Sequence, residues 1–343
     1  MCDSITGNWV CLSGARPYSR TANGAGACLP FQGAGSPIRG LSGALTRVPT
    51  DDGRCLWIAD EVWTDSEVTR NVAFVPDLTA PFGTCPAVPQ LFDSPVRSVV
   101  AMAGAADPSI VVQIMGAYRI AGGTRVLFRL FRLDQGAVFG VTELGTSIGR
   151  WDAGLGQIVV GDPSTLRFAP DLDLGDDSLV LGDYAFAWGC SRTTYLSREC
   201  LLGRLDAADT MQLFIGGGQW SAGASASAGV PVFSGGPWIS SVSVDTAHGG
   251  LIHIFAPEFG SELDAQFGSV PEGPWTAPTS LGPCDLPSGD TSEYCAGPVT
   301  HTELADPTRN SEVVVSYGVG TTASPAPLAN DTYWTRIAWL KEK

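Results

Sequence analysis

The sequence predicts an all-β protein, a five-bladed β-propeller, on three observations. First, short segments alternate apolar and polar residues with period two between Gly, Pro and Asp turns, and no helix of useful length fits among them. Second, this meander recurs along the chain in units of roughly 40 residues, the spacing of propeller blades. Third, Gly 42, Pro 24 and Trp 10 among 343 residues, with 44% hydrophobic and 16% charged, describe many turns joining buried strands rather than a disordered chain.

The clearest unit is 240–278. Ser241-Val242-Ser243-Val244 alternates, Leu251-Ile252-His253-Ile254-Phe255 is a buried-looking run after a Gly-Gly turn, and 263–270 alternates again before Glu272-Gly273-Pro274-Trp275. The other candidate blades are 44–76, 97–143, 178–220 and 298–340. In 44–76 the turn Thr50-Asp51-Asp52-Gly53 has hairpin chemistry. In 97–143 the first strand is placed at 99–102. There the arginines of Val126-Leu127-Phe128-Arg129-Leu130-Phe131-Arg132 recur at spacing three, which predicts a bulge or an edge. In 178–220 Gly216-Gly217-Gly218-Gln219-Trp220 mirrors the later Gly-Pro-Trp turn. In 298–340 strands are expected at 299–304, 312–317 and 333–340. Residues 1–38 read as an amino-terminal arm, clamped by Cys11 and Cys28, whose strand near Trp9 closes the last blade. Residues 39–343 read as a single propeller.

A formal charge of −15 argues against nucleic acid, which needs a basic footprint, and against an anionic membrane surface. No apolar run of about 18 residues is present to span a membrane. The nine cysteines lack zinc spacing, and Cys190/Cys200 and Cys284/Cys295 read as disulfides of an exported protein. An odd cysteine is left over, and Cys2 is the candidate. Met1-Cys2-Asp3-Ser4 has neither a charged n-region nor an apolar h-region; Cys2 is either a lipoprotein-type first residue or an ordinary cysteine. The expected location is secreted or cell-surface, the expected state a monomer. No cofactor is implied, and nothing in the sequence indicates structural Ca²⁺.

Gly53-Arg54-Cys55-Leu56-Trp57-Ile58-Ala59-Asp60 resembles the "dG-x-x-lW-l-fGD" strand of a bacterial propeller family, some of whose members are endo-D-arabinanases. The segment 184–190 resembles that family's aromatic "yaY-x-xG" strand, Gly273-Pro274-Trp275 its "GPW", and Ser316-Tyr317 its "vsY". The resemblance covers residues 40–340 in short pieces. It implies a carbohydrate-active propeller, if active a glycoside hydrolase acting on furanosidic, arabinan-like glycans. The family's Asp-Gly pair before the "GD" strand is absent: Ser42 stands where the carboxylate would be. That departure favours the alternative, a non-catalytic propeller that binds a polysaccharide or cell-surface glycan.

Glycoside hydrolysis needs two carboxylates flanking the scissile bond, one of them carrying a proton. The candidates are Asp60, which ends an apolar strand, Asp183, which opens one, and Glu303, with Asp245 and Glu61 behind them. The alternative for each is a carboxylate capping a turn or strand end. His301 and Glu303, two apart on an expected strand, would share one face, with His301 orienting or protonating. Trp63, Trp188, Trp220, Trp238, Trp275 and Tyr333 are candidates for stacking on sugar, with Trp63, Trp188 and Tyr333 foremost, and most of the six read more readily as packing between blades after Gly turns. His253, inside Leu-Ile-His-Ile-Phe, reads as a core histidine and His248 as a turn residue.

Overall fold

The computed structural model describes residues 2–3, 10–11, 18–20, 38–64, 66–76, 90–91, 96–102, 107–134, 136, 140–161, 168, 172, 174–192, 198–234, 240–245, 249–257, 259–286, 292–304, 312–322 and 336–342. Two short strands, β1 (Cys2–Asp3) and β2 (Val10–Cys11), pair with each other, and β3 (Tyr18–Arg20) follows. A four-stranded meander comprises β4 (Ile38–Pro49), β5 (Cys55–Thr64), β6 (Val68–Val75) and β7 (Gln90–Leu91). Next come β8 (Val100–Met102), β9 (Ile110–Ile120), β10 (Gly123–Leu133), β11 (Val141–Asp152) and β12 (Gln157–Val160), in sheet order β8-β12-β11-β10-β9.

The third sheet runs β13 (Asp177–Leu181), β14 (Tyr184–Arg192), β15 (Arg198–Leu205), β16 (Met211–Phe214) and β17 (Trp220–Ala222), and β18 (Phe233–Ser234) also pairs with β15. The fourth is β19 (Ser241–Asp245), β20 (Gly250–Phe255), β21 (Glu262–Gly268) and β22 (Thr279–Pro283). The last is β23 (Glu293–Thr300), β24 (Glu312–Thr321) and β25 (Arg336–Glu342), with β3 as its outer strand.

The first strands of the consecutive meanders touch in a closed cycle, β4 to β9, β9 to β13, β13 to β19, β19 to β23 and β23 back to β4. Apolar clusters fill the wedges between neighbouring sheets. Val48, Leu56 and Ile58 pack on Val126, Phe128 and Ile158; Leu127 packs with Leu174, Ala185 and Leu205; Trp188 and Leu202 pack with Val242 and Leu251. Ile252 and Leu281 then meet Val315 and Tyr317, and Val314 joins Leu41, Trp57 and Phe74, which completes the circuit. Sheets packed face to face around an axis, with their first strands innermost, make an all-β propeller.

Several expectations are corrected. The amino-terminal strand that pairs with β25 is Tyr18–Arg20, with Arg20 opposite Leu340, whereas Val10–Cys11 pairs with Cys2–Asp3. Val100–Met102, expected as the first strand of its unit, does not pair with the next strand but forms the outer edge of the sheet, parallel to β12. The last sheet begins at Glu293, and its first strand stops at Thr300 rather than reaching 304. The arginine spacing in β10 reflects a bulge: its register slips against β9 between Leu127 and Phe128 and against β11 between Leu130 and Phe131. Arg129 is thereby turned inward, where it pairs with Glu143 at 3.0 Å and Asp176 at 2.8 Å.

Cys190–Cys200 and Cys284–Cys295 are disulfides. The first joins neighbouring strands β14 and β15; the second ties the segment after β22 to β23 in the next sheet. Among the described residues the free thiol is Cys55; the side chains of Cys2 and Cys11, and all of Cys28, lie outside them.

Candidate active site

The polar cluster with the chemistry of a site forms where β4, β5, β13 and the segment after β23 meet. β23 ends at Thr300. His301 N–H donates to Val314 O (2.8 Å), and Leu304 N–H to His301 O (3.1 Å), which winds Thr302–Leu304 into a single 3-10 turn. That turn, not a strand face, presents Glu303. Glu303 Oε1 accepts from Trp57 Nε1 at 2.8 Å and bonds His301 Nδ1 at 2.7 Å; Oε2 accepts from Arg47 Nη1 at 3.2 Å. His301 Nε2 meets Ser316 Oγ at 2.7 Å, and the Trp57 ring lies edge-on to the imidazole at 4.8 Å. With Nδ1–H donating to the carboxylate, Nε2 accepts from the serine hydroxyl.

The resulting Ser316–His301–Glu303 chain looks like a nucleophile triad. Ser316 and His301 have no exposed surface, however, so the chain orients Glu303 and presents no attacking hydroxyl. Burial opposes charge on Glu303, but the His301 ring and the Arg47 guanidinium outweigh it and hold the carboxyl down at about 2.

Asp177, at the start of inner strand β13, behaves in the opposite way. Burial pushes its carboxyl up to about 7, against the hydrogen bonds from the Val242 and Ser178 N–H groups, the nearby Arg47 charge and Ser241. Ser241 Oγ in turn bonds Thr300 Oγ1 at 2.8 Å, which links β19 to β23 around the axis. Arg47 is paired with Glu303, and its charge also acts on Asp177, with which it makes no ion pair among the described residues. The preceding Asp176 faces the core instead, where it accepts from Arg129 and from Cys190 N–H at 2.7 Å.

The predicted residues divide accordingly. His301 and Glu303 are together. Asp60 lies on β5 facing the next sheet and accepts from Gln113 Nε2 of β9 at 3.0 Å; burial and then the Glu61 charge push it up to about 6. No hydrogen bond or ion pair joins Asp60 to Glu303 among the described residues. Glu61 is taken by Arg70 at 2.8 Å. Asp183 occupies the exposed turn between β13 and β14, at the opposite end of β13 from Asp177. There, with Arg119, Tyr184 and Asp206, it borders a separate open cleft of about 600 Å³. Trp188 has no exposed surface and belongs to the core, so it cannot stack on a sugar.

Trp63 is half-buried on β5 opposite Gly40. Tyr333, Trp238 and His248 lie outside the described residues. Trp220 packs on Phe186 and Phe214, and Trp275 lies against Phe233 and Gly268, both as packing residues. His253 is stacked between Phe233 and Phe255, where burial lowers it to about 3 and keeps it neutral. Asp245 is buried. Arg47, Trp57, Ser316 and Asp177 are the members of the cluster that strand patterns did not single out as functional. The paired acids Asp176-Asp177 just before an apolar strand were the available signal. Among the described residues no group of three or more His, Cys, Asp or Glu side chains is arranged to hold a metal ion.

No protein-family profile matches this chain. No curated protein sequence matches it either. Solved structures do share its fold. A protein from Bacteroides ovatus described as a candidate hydrolase superposes with a TM-score of 0.59 at 14% identity, covering 88% of this chain and 86% of that one. An N-acetylgalactosamine deacetylase from F. plautii gives 0.49 at 10% identity over 95% and 94% of the two chains. A GH43_1 enzyme from Xanthomonas citri gives 0.47 at 13% identity over 88% and 87%. At these identities the likeness is one of fold.

Proposed function

We propose that this chain is a carbohydrate-active, five-bladed propeller that hydrolyses glycosidic bonds at its axial channel. Glu303 is the ionised carboxylate and Asp177 the proton donor. The observation that carries this reading is that two carboxylates within the electrostatic reach of one arginine, Glu303 bonded to Arg47 and Asp177 at the start of β13, are held in opposite states, Glu303 near 2 and Asp177 near 7. A pair of acids driven apart by their surroundings is what acid–base cleavage of an acetal requires. Asp177 protonates the departing oxygen. Glu303, oriented by Trp57 and His301 through Oε1, offers Oε2 to water or to the sugar carbon.

The closed cycle of sheets of four or more strands, taken as one blade each, supports the five-blade reading. An arabinan-like furanoside is the substrate class suggested by the resemblance around Cys55-Leu56-Trp57-Ile58-Ala59-Asp60. In that reading Asp60 is an auxiliary acid between sheets. Two disulfides fit an oxidising, extracellular setting.

The test is depolymerisation of arabinan and arabinogalactan by wild type, Glu303→Gln, Asp177→Asn, Asp60→Asn and Asp183→Asn. We expect a loss of at least about a hundredfold for the first two substitutions, from removal of general acid–base chemistry, and wild-type rates for Asp183→Asn. Binding without cleavage by the wild type would make the protein a glycan-binding propeller, the reading that Ser42 favours. Neither binding nor cleavage would remove the glycan reading.

A further inference from the structure

We propose that Arg47 receives a carboxylate carried by the glycan, so that the channel takes uronate-containing chains. This deepens the channel reading above and rests on it. Arg47 lies near the end of inner strand β4, and its Nη1 is held twice, by Thr302 Oγ1 and by Glu303 Oε2 at 3.2 Å. Those two contacts fix the plane of the guanidinium. Its Nε and Nη2 have no partner among the described residues, and the side chain keeps 34% of its surface exposed. The Nε–Nη2 edge is one on which an arginine takes a carboxylate through two parallel N–H···O bonds.

Other arginines of the fold have filled this edge. Arg70 spends both Nε and Nη2 on Glu61 Oε1, and Arg129 spends them on Glu143 and Asp176. Arg125 directs Nε at Asp209 and is buried. Arg47 is thus anchored through one nitrogen with the fork left open beside the two candidate catalytic carboxylates. Asp177 keeps its proton up to about pH 7, so the charged carboxyl beside the fork is Glu303, which is already bonded by Arg47 Nη1, Trp57 and His301. The net charge of −15 acts from a distance and is screened beyond about 8 Å at physiological ionic strength, whereas the fork acts at contact. Sulfate or phosphate would present the same paired oxygens, so the test separates them from a sugar acid.

The experiment is calorimetric binding to a galacturonate trisaccharide and a glucuronate-substituted xylotriose, each beside its carboxyl-reduced form, with inorganic phosphate and sulfate as separate arms. Wild type, Arg47→Lys and Arg47→Gln are compared after thermal melts confirm folding. We expect at least one acidic sugar to bind about tenfold or more tightly than its reduced form, the scale of a charge-assisted pair. That preference should vanish in Arg47→Gln and survive in part in Arg47→Lys. Equal binding of both forms by the wild type, a preference unchanged in Arg47→Gln, or binding of phosphate or sulfate with no acidic sugar bound would each overturn the assignment. If neutral arabinan is cleaved while no uronate preference exists, the hydrolase reading stands and the role of Arg47 falls. If no glycan of either kind is bound or cleaved, both fall.

Discussion

At the residue scale, two carboxyl groups that both feel the charge of Arg47 differ in their own charge because their partners differ in kind. Glu303 is surrounded by donors, and Asp177 is sunk among backbone and hydroxyl groups. If Asp177 is the proton donor we propose, the rate has a descending limb above about pH 7, as its carboxyl loses its proton. A pH–rate profile of kcat checks this. Stability has its own sign. Asp177 keeps its proton in the folded state to about pH 7 but loses it near pH 4 when unfolded. Its contribution to folding is therefore fully present below about pH 4 and is lost as pH rises toward 7. Glu303 runs the other way: its contribution is present above the unfolded value near 4.3 and disappears as pH falls toward about 2. Chemical denaturation of Asp177→Asn at pH 5 and pH 8 should show a smaller pH dependence than wild type. His301→Gln should lower kcat more than it raises KM, because it removes orientation of Glu303 and not a substrate contact.

Single elements explain which parts of the site were legible. His301 and Glu303 stood out because spacing two brings side chains together on a strand; a 3-10 turn brings them together by a different route. Asp177 was hidden because what defines it comes from Arg47 on β4 and Val242 on β19, 130 and 65 residues away in sequence. Asp183 drew attention by sitting between Gly182 and Tyr184; that pattern describes a hairpin turn, and the turn lies at the opposite end of β13 from Asp177. Trp188 belongs to the same strand pattern. An aromatic residue in a continuously buried strand packs on both faces and has no side left for a ligand. Trp188→Ala should therefore destabilise by about 3–5 kcal/mol, the usual cost of emptying a large core site, measured by urea unfolding. Arg129→Ala should cost about 3–5 kcal/mol, because Asp176 would be left buried without its countercharge.

At the scale of the whole molecule, meanders and turn chemistry were readable because each sheet is built almost entirely from consecutive strands. The exceptions were the pairings of strands not adjacent in sequence, β8 beside β12, β18 beside β15 and β3 beside β25, which no local pattern encodes. Cys284–Cys295 is a crosslink between neighbouring sheets rather than within one. Replacing both cysteines by serine should lower stability by about 2–3 kcal/mol, as expected for a loop of this size. It should also lower the melting temperature more than a surface substitution on β21 does; scanning calorimetry of the two variants makes the comparison.

The pairing of Tyr18–Arg20 with Leu340–Glu342 has a temporal side. Closing a contact across more than 300 residues carries a large entropy penalty, and contacts of such long range slow folding. During synthesis β3 emerges early but has no partner until β25 leaves the ribosome. The strand β3 therefore stays unpaired, with open hydrogen-bonding edges, until the last sheet has been made. Such an edge invites pairing with another chain. Once the ring is shut, the side of β3 that faces β25 is paired, so that part of the vulnerability belongs to the newborn protein rather than the finished one.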